Sequence, residues 1–336
     1  MLVNYFLALA TSLWTVAVWA QEAVSIDDIF VVHMSPLEKG GCTEAEKTKL
    51  GTWFDESFDM LDESFAALQD YDTNERVQKA ATTFFGFQPE MATAEDITEA
   101  IKENIGQVSD FMNNDRASPK PHIFCNTDFL ERKAPTDPVQ DIQGEFVPDP
   151  KNPDKLLTIK AQLKSKISKT KSAYWIELIK VYWISEPKWA TGFCDDKTQL
   201  AVTGDFNIDI MDPKNSKTSQ IIIICPQAFT TSEYKDELYK SGIAVGDHIE
   251  AWQPKSLTFL HELFHVVHGA NMLSGTKEIY GAIACADRAL KAKSASAVRK
   301  NPETFAFFSM AMYYLQNKII DFSSLTATSL PESSSD

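Results

Sequence analysis

His261-Glu262-Leu263-Phe264-His265 is the stretch from which the rest of this chain is read. On a helix, residues i and i+4 stand one above the other, so His261 and His265 can both turn an imidazole nitrogen toward one ion. Glu262 then projects beside that ion, where its carboxylate can take a proton from water. Neutral imidazoles suit Zn²⁺ at about 2.0–2.1 Å, and a catalytic zinc keeps one coordination position open for water. Zinc brings the pKa of that water down to about 7. Two ligands and a general base at this spacing are the sequence mark of a zinc-dependent peptidase. Leu257, Leu260, Phe264 and Val267 recur at helical spacing and Gly269 follows as a stop, which predicts a helix over about Ser256 to His268. The bland alternative is a buried helix with two satisfied core histidines. Burying two imidazoles and a carboxylate on so apolar a helix costs free energy unless they are paired or hold a metal.

A catalytic zinc needs a third protein ligand. The longer pattern HExxHxxGxxH does not continue here: His268 takes its glycine position and Asn271 its third histidine position. His268 completes an HExxHxxH, but three ligands on one straight helix would be strung over about 10 Å, at about 1.5 Å per residue. They converge poorly on one tetrahedral ion, so His268 is expected in the cleft wall or behind the ligands. Downstream lies Gly275-Thr276-Lys277-Glu278-Ile279-Tyr280-Gly281. With the HExxH, this stretch resembles the aspzincins, the family of deuterolysin and the fungal peptidyl-Lys metalloendopeptidases, whose signature continues as GTxDxxYG. Gly275, Thr276, Tyr280 and Gly281 match. Glu278 stands where the family has its aspartate, and one residue fewer separates the acid from the tyrosine. The resemblance implies Glu278 as third zinc ligand beside His261 and His265, with Glu262 as general base. It also implies Tyr280 as the group that hydrogen-bonds the developing oxyanion. On the residues alone, Glu278 also reads as a solvated acid in a turn.

The resemblance extends along the chain. Ile221-Ile222-Ile223-Ile224-Cys225-Pro226 is similar to the family's strand ending in Cys, and Tyr280-Gly281 through Cys285 to its YGxxxC. Asn301-Pro302-Glu303-Thr304-Phe305 resembles the family's NAD(S/T) element, and Gly41-Cys42-Thr43 its GC start. The match covers residues 40 to 115 loosely and 215 to 320 well. Between Asp128 and about Trp189 there is no counterpart. The fold this implies is α+β, a zincin-like metalloprotease domain over residues 21–322 with an inserted β-rich segment at about 128–190. Lys-selective members of the family place two acids three residues apart near the S1′ pocket. Glu303 matches the first and Ala306 stands at the second, so Glu303 is expected to bind substrate without strict Lys preference. A favourable charge at a helix N-terminus is the alternative reading of Glu303. The family pattern also implies Cys42–Cys125 and Cys194–Cys225 bridges with Cys285 a buried thiol. Cys225 with Cys285 is the alternative pairing.

The remaining composition agrees with a secreted enzyme. Residues 1–20 carry no charged side chain, and Val18-Trp19-Ala20 fits a signal cleavage site before Gln21. A membrane anchor is the alternative, but the apolar run is short. Five cysteines in an oxidising compartment allow two bridges and one left over. The Ser/Thr-rich end, residues 323–336, reads as a disordered tail, and no N-glycosylation sequon occurs. A net charge of −15 disfavours nucleic acid and anionic membranes as partners, so protein or peptide substrates and a monomer are expected. The one basic cluster, Lys160 to Lys171, is followed by Tyr174, Trp175 and Tyr182. It reads either as a polyanion site or, more blandly, as a hairpin with a solvated Lys-rich face.

Thr43 with Glu46 forms a capping box for a helix to about Gln69. Further helices are predicted at Asn74 to Phe85, Ala94 to Met112, Gly281 to Ala292 and Pro302 to about Lys318. Strands are predicted at Ala173 to Ile184, Asp205 to Met211 and Gln220 to Cys225. Pro135 to Pro153 reads as loop. Two function classes remain: a secreted zinc metalloendopeptidase, or a secreted binding or effector protein that keeps the fold with an impaired site. The presence of Glu262 favours the first, and the departure at Glu278 is the main argument for the second.

Overall fold

The computed structural model describes residues 24–34, 39–113, 119–185, 193–207, 209, 211, 217–269, 272, 277–291 and 295–330. The expected signal segment 1–20, Asn271, Gly275, Thr276 and the last six residues of the expected tail lie outside the described residues. The architecture is α+β.

Two helices begin as their sequence caps dictate. In α2 (Glu44–Gln69), Thr43 Oγ1 accepts from the Glu46 N–H at 3.2 Å, while the Glu46 carboxylate accepts from the Thr43 N–H at 2.7 Å. In α3 (Glu75–Phe85), Asn74 Oδ1 accepts from Arg76 and Val77 N–H groups. With α4 (Ala94–Asn113), α7 (Ser256–His268) and α10 (Pro302–Gln316) they form the helical layer. Helix α10 is buried over nearly its whole length and packs against α2, α3 and α7. Shorter helices are α1 (Ile26–Ile29), α5 (Ile159–Gln162), α6 (Pro226–Thr230), α8 (Ala282–Ala289) and α9 (Ala295–Val298).

The strands are β1 (Val31–Val32), β2 (His122–Phe124), β3 (Leu130–Lys133), β4 (Pro148–Asp149), β5 (Asn152–Leu156), β6 (Ser172–Ile176), β7 (Val181–Ser185), β8 (Ala201–Asn207) and β9 (Thr218–Ile224). Seven of them make one sheet in the order β1-β2-β9-β8-β7-β6-β3, parallel across β1, β2 and β9 and antiparallel beyond. The isoleucine run of β9 is buried on both faces. Ile222 and Ile224 enter the main core with α7, and Ile221 and Ile223 pack with Phe124, Tyr174 and Trp183 on the other side. Strands β3, β6 and β7 lie within residues 128–190. They extend the sheet, and Val139, Leu157, Ile159, Leu163, Trp175 and Tyr182 give that segment its own small core.

Several expectations are corrected. Ala173 to Ile184 is not one strand but the antiparallel pair β6–β7, turning at Lys180 with φ +54°. The strand expected over Asp205 to Met211 starts earlier, at Ala201, because pairing of Ala201 with Ile224 recruits it. Pro135 to Pro153 is not all loop, since Pro148–Asp149 pairs with β5. The tail expected to be disordered from Ser323 is ordered through residue 330. Ser323 and Ala327 are buried, and backbone bonds tie Ile249 to Leu325 and Asp247 and Gly246 to Ala327. Main-chain hydrogen bonds hold this segment, and composition does not register them. Lys160 to Lys171 is not a hairpin, yet its lysines are solvated, while Tyr174, Trp175 and Tyr182 are core residues.

Cys42–Cys125 and Cys194–Cys225 are disulfides, and Cys285 is a buried thiol. Among the described residues no helix is long and apolar enough to cross a membrane.

Candidate metal centre

Helix α7 runs through the core, so its polar residues are withdrawn from water: His261 is 6% exposed and Glu262 4%. The i, i+4 spacing puts the two imidazoles side by side, with ring centroids 5.1 Å apart. The third group comes from the loop after α7. Glu278 Oε1 lies 2.8 Å from His261 Nε2 and 3.0 Å from His265 Nε2. One donor atom from each of the three lies within 4.8 Å of the other two. A tetrahedral ion bound at about 2.1 Å spaces its ligand atoms about 3.4 Å apart, so Glu278 need open from each histidine by only about half an ångström. The donor set and its spacing fit a metal ion.

His261 faces a carboxylate with each ring nitrogen. Its Nδ1 lies 2.8 Å from Glu303 Oε2 and its Nε2 beside Glu278. Burial alone would lower its pKa, but the two carboxylates outweigh burial and hold it well above the ordinary histidine value. Glu278 shows the reverse side of the pairing. Burial pushes its carboxyl up, and hydrogen bonds from His261 and His265 bring it well below the usual carboxylate range. A metal held at Nε2 would take the place of that proton, and Nδ1–H, donating to Glu303, would fix the tautomer and ring plane needed for ligation.

The loop that carries Glu278 is clamped directly after that residue, at Ile279 and at Gly281. Asn301 takes the backbone conformation of an N-cap, but its side chain does not cap α10. Instead its Oδ1 accepts from the Ile279 N–H and its Nδ2 donates to the Ile279 carbonyl, both at 2.9 Å. Gly281 sits at φ +85°, where a Cβ would be strained, and its N–H donates to Glu303 Oε1 at 3.0 Å. Both oxygens of Glu303 are thus engaged inside the protein. The expected substrate-binding carboxylate is, in the structure, the group that orients His261 and anchors Gly281.

Tyr280 stacks on the His261 ring at 5.9 Å, and its hydroxyl donates to Glu278 Oε2 at 2.5 Å. Tyr280 is 64% exposed as a whole, but its hydroxyl end lies against the protein, and local desolvation there and then the Glu278 carboxylate hold the phenol proton on. The residue expected at the oxyanion is here bonded to the Glu278 carboxylate. His268 is not in the cleft wall: its Nε2 bonds the Asn104 carbonyl at 3.0 Å and its ring stacks on Phe264. Cys285 packs under the clamp, beside Ile279 and Asn301, and burial pushes its thiol up to about 12.

One residue was missed by sequence reasoning. Thr203, on β8, donates its hydroxyl to Glu262 Oε2 at 2.7 Å. Among the described residues Glu262 Oε1 has no protein partner, and Glu262 lines a cleft of about 890 Å³ together with Thr203, Tyr234, Glu250 and Tyr280. No spacing rule links two residues that meet only because β8 lies over α7. No protein-family model, curated protein or solved structure matches the chain.

Proposed function

We propose that the protein is a secreted zinc metalloendopeptidase of the aspzincin kind, built on a zincin-like catalytic fold. The observation that carries this reading is the meeting of His261, His265 and Glu278 at one point, with a second acid, Glu262, buried beside them and held by Thr203. Two imidazoles and a carboxylate are the donor set of a catalytic zinc site. Zn²⁺ bound there supplies a Lewis acid that activates water and polarises a peptide carbonyl. Glu262 takes a proton from the attacking water as its oxygen bonds to the carbonyl carbon. Glu262 then delivers that proton to the amine nitrogen as the C–N bond breaks. Thr203 keeps the Glu262 carboxylate from turning away, and Glu303 keeps His261 in its tautomer.

The sheet offers a place for an extended substrate. The Cys225 N–H donates to the Leu200 carbonyl, so in the antiparallel ladder Ala201, Thr203 and Asp205 turn their N–H and C=O groups away from β9. Strand β7 pairs with β8 only at Asn207 among the described residues. Residues 201 to 205 line the cleft, where a peptide strand can add to the open edge. The two disulfides suit an oxidising, extracellular compartment.

Metal analysis with casein cleavage, wild type against Glu262→Gln, tests the reading. One zinc per chain is expected in both proteins, with cleavage about 10²–10⁴-fold lower in the variant. Zinc-loaded wild-type protein that leaves casein and a mixed peptide library intact overturns it.

A further inference from the structure

In a chain of net charge −15, the twelve residues Lys160-Ala161-Gln162-Leu163-Lys164-Ser165-Lys166-Ile167-Ser168-Lys169-Thr170-Lys171 hold five lysines and no acid. All five lysines are exposed, and none of their ammonium groups pairs with another described residue. The backbone beneath them is well fixed. Ile159 and Leu163 are buried in the small core, Lys166 and Ile167 N–H groups bond the Leu163 carbonyl, and Ser168 bridges to Lys171. The charge is therefore held in place and not carried on a loose tail.

Its place gives it meaning. A hollow of about 450 Å³ opens between this turn and the sheet, lined by Lys166, Lys171, Tyr182, Ile184, Asp205 and Phe206. Asp205 also lines the cleft of the metal centre, so the two hollows meet along β8. They meet where β7 and β8 part, beyond their pairing at Tyr182 and Asn207. From Thr203, which holds Glu262, to Asp205 is two strand residues, about 7 Å at about 3.4 Å each. The cleft side is rich in acids, with Glu233, Glu250, Glu278 and Glu303, and the far side carries Lys166 and Lys171, with Asp205 where the two hollows meet. A strand bound along the β8 edge runs from one sign of charge to the other.

We propose that Lys166 and Lys171 form a subsite for an acidic segment of the substrate, a few residues from the bond that is cut. The inference rests on the peptidase reading for its site of cleavage, but its binding surface can be measured without hydrolysis. A solvated face kept for solubility is the bland alternative, and it does not call for a hollow that joins the cleft. A nucleic-acid site is disfavoured because the neighbouring rings are buried: Tyr174 is 0% and Trp175 1% exposed, so neither offers a stacking platform for a base.

The test uses fluorescent peptides with an Asp/Glu run two to five residues to one side of a common central sequence, compared with a Ser/Gly run. Binding is measured by anisotropy on zinc-loaded Glu262→Gln protein, and kcat/KM on wild type. The two sides of the central sequence are read separately. A peptide antiparallel to β8 puts its residues N-terminal to the cut bond at the lysines, and a parallel one its C-terminal residues. The acidic peptide is expected to bind about three- to tenfold tighter at low salt, the gain shrinking in 0.5 M salt as screening shortens its reach to about 4 Å. Lys166→Glu with Lys171→Glu should erase the difference, whereas the charge-matched control Lys151→Glu with Lys155→Glu should keep it. Equal affinity for both peptides, or a preference equally lost in the control pair, overturns the subsite. So does a polysulfated sugar that binds at Lys166 and Lys171 while acidic peptides do not. Acid-selective binding without cleavage of any peptide keeps the subsite and rejects the peptidase reading.

Discussion

Glu303→Gln separates two roles for one carboxylate. The structure gives Glu303 two donors, His261 Nδ1–H at 2.8 Å and the Gly281 N–H at 3.0 Å. A carboxylate accepts from both, but a glutamine amide has one acceptor oxygen and one NH₂. If the oxygen stays on Gly281, the NH₂ faces His261, and Nδ1 can be satisfied only by giving up its proton. The proton then sits on Nε2, the nitrogen needed for the metal. If the oxygen turns to His261, the NH₂ opposes the Gly281 N–H and loosens the loop that positions Glu278. Either way the loss falls on metal binding. Partners of this kind are worth about 10–100-fold in metal affinity, or about 1.4–2.7 kcal/mol. Zinc affinity is measured by competition with a chromogenic chelator, alongside thermal unfolding with and without zinc. The zinc-dependent rise in Tm should shrink in Glu303→Gln, because ligand stabilisation scales with RT ln(1 + [L]/Kd). Unchanged zinc affinity, with loss confined to cleavage before Lys, refutes the argument. It would return Glu303 to the substrate role that the family resemblance implies.

Thr203→Val keeps the shape of the side chain and removes the hydroxyl that holds Glu262 at 2.7 Å. A hydrogen bond to a charged group contributes about 1.5–3 kcal/mol, so kcat/KM should fall about 10–100-fold with zinc content unchanged; loss of zinc instead would place Thr203 in the metal site. Replacing Cys194 and Cys225 by Ser opens a bridge with a sequence separation of 31. It should lower stability in urea unfolding by about 3–4 kcal/mol, and an unchanged midpoint would show that the bridge constrains nothing. His33 and His122 are bonded to each other at 2.9 Å, and burial lowers both to a pKa of about 4. The unfolded chain protonates them near 6.5, so between pH 6.5 and 4 the unfolded state binds more protons. Stability should therefore fall as pH drops through that window and level off below 4, by about 1–2 kcal/mol per histidine after allowance for partial exposure. Denaturant titrations at pH 4.5 and 7.5 on wild type and His33→Gln/His122→Gln check this, and equal pH slopes in the two proteins would count against it.

What could be read in the sequence was what one local element settles by itself. His261, His265 and Glu262 share a helix, and helical spacing alone orients them. Thr43 with Glu46, and Asn74 before α3, state their caps within three residues. Glu278 lies on an irregular loop, where no periodicity applies, and only the resemblance in Gly275 to Gly281 singled it out. Glu303 was singled out by the resemblance for substrate binding, whereas the structure shows its bonds to His261 and Gly281. Its neighbours in sequence do not reveal that His261, 42 residues away, turns Nδ1 toward it. Asn301 reads as a cap because Pro302 follows, yet its amide is spent on Ile279, a choice made by the packing of the loop against α10.

Strand β8 shows why the remainder was hidden. In the sequence Phe206, Ile208 and Ile210 alternate with Asn207 and Asp209, but β9 pairs with Ala201 to Asn207, a stretch with little apolar pattern and a glycine at its middle. A strand with one ladder to β9 and an open edge toward a cleft has no reason to alternate as a half-buried strand does. Gly204 is required by a close approach, since a Cβ there would fall 2.5 Å from the Trp183 ring. The features that weakened its sequence signal are those the site uses: Thr203 reaches down to Glu262, and the backbone of Ala201, Thr203 and Asp205 faces outward. A strand paired along its whole length on both sides, with strong alternation, would have been easier to read and would have left no room for the added substrate strand proposed above.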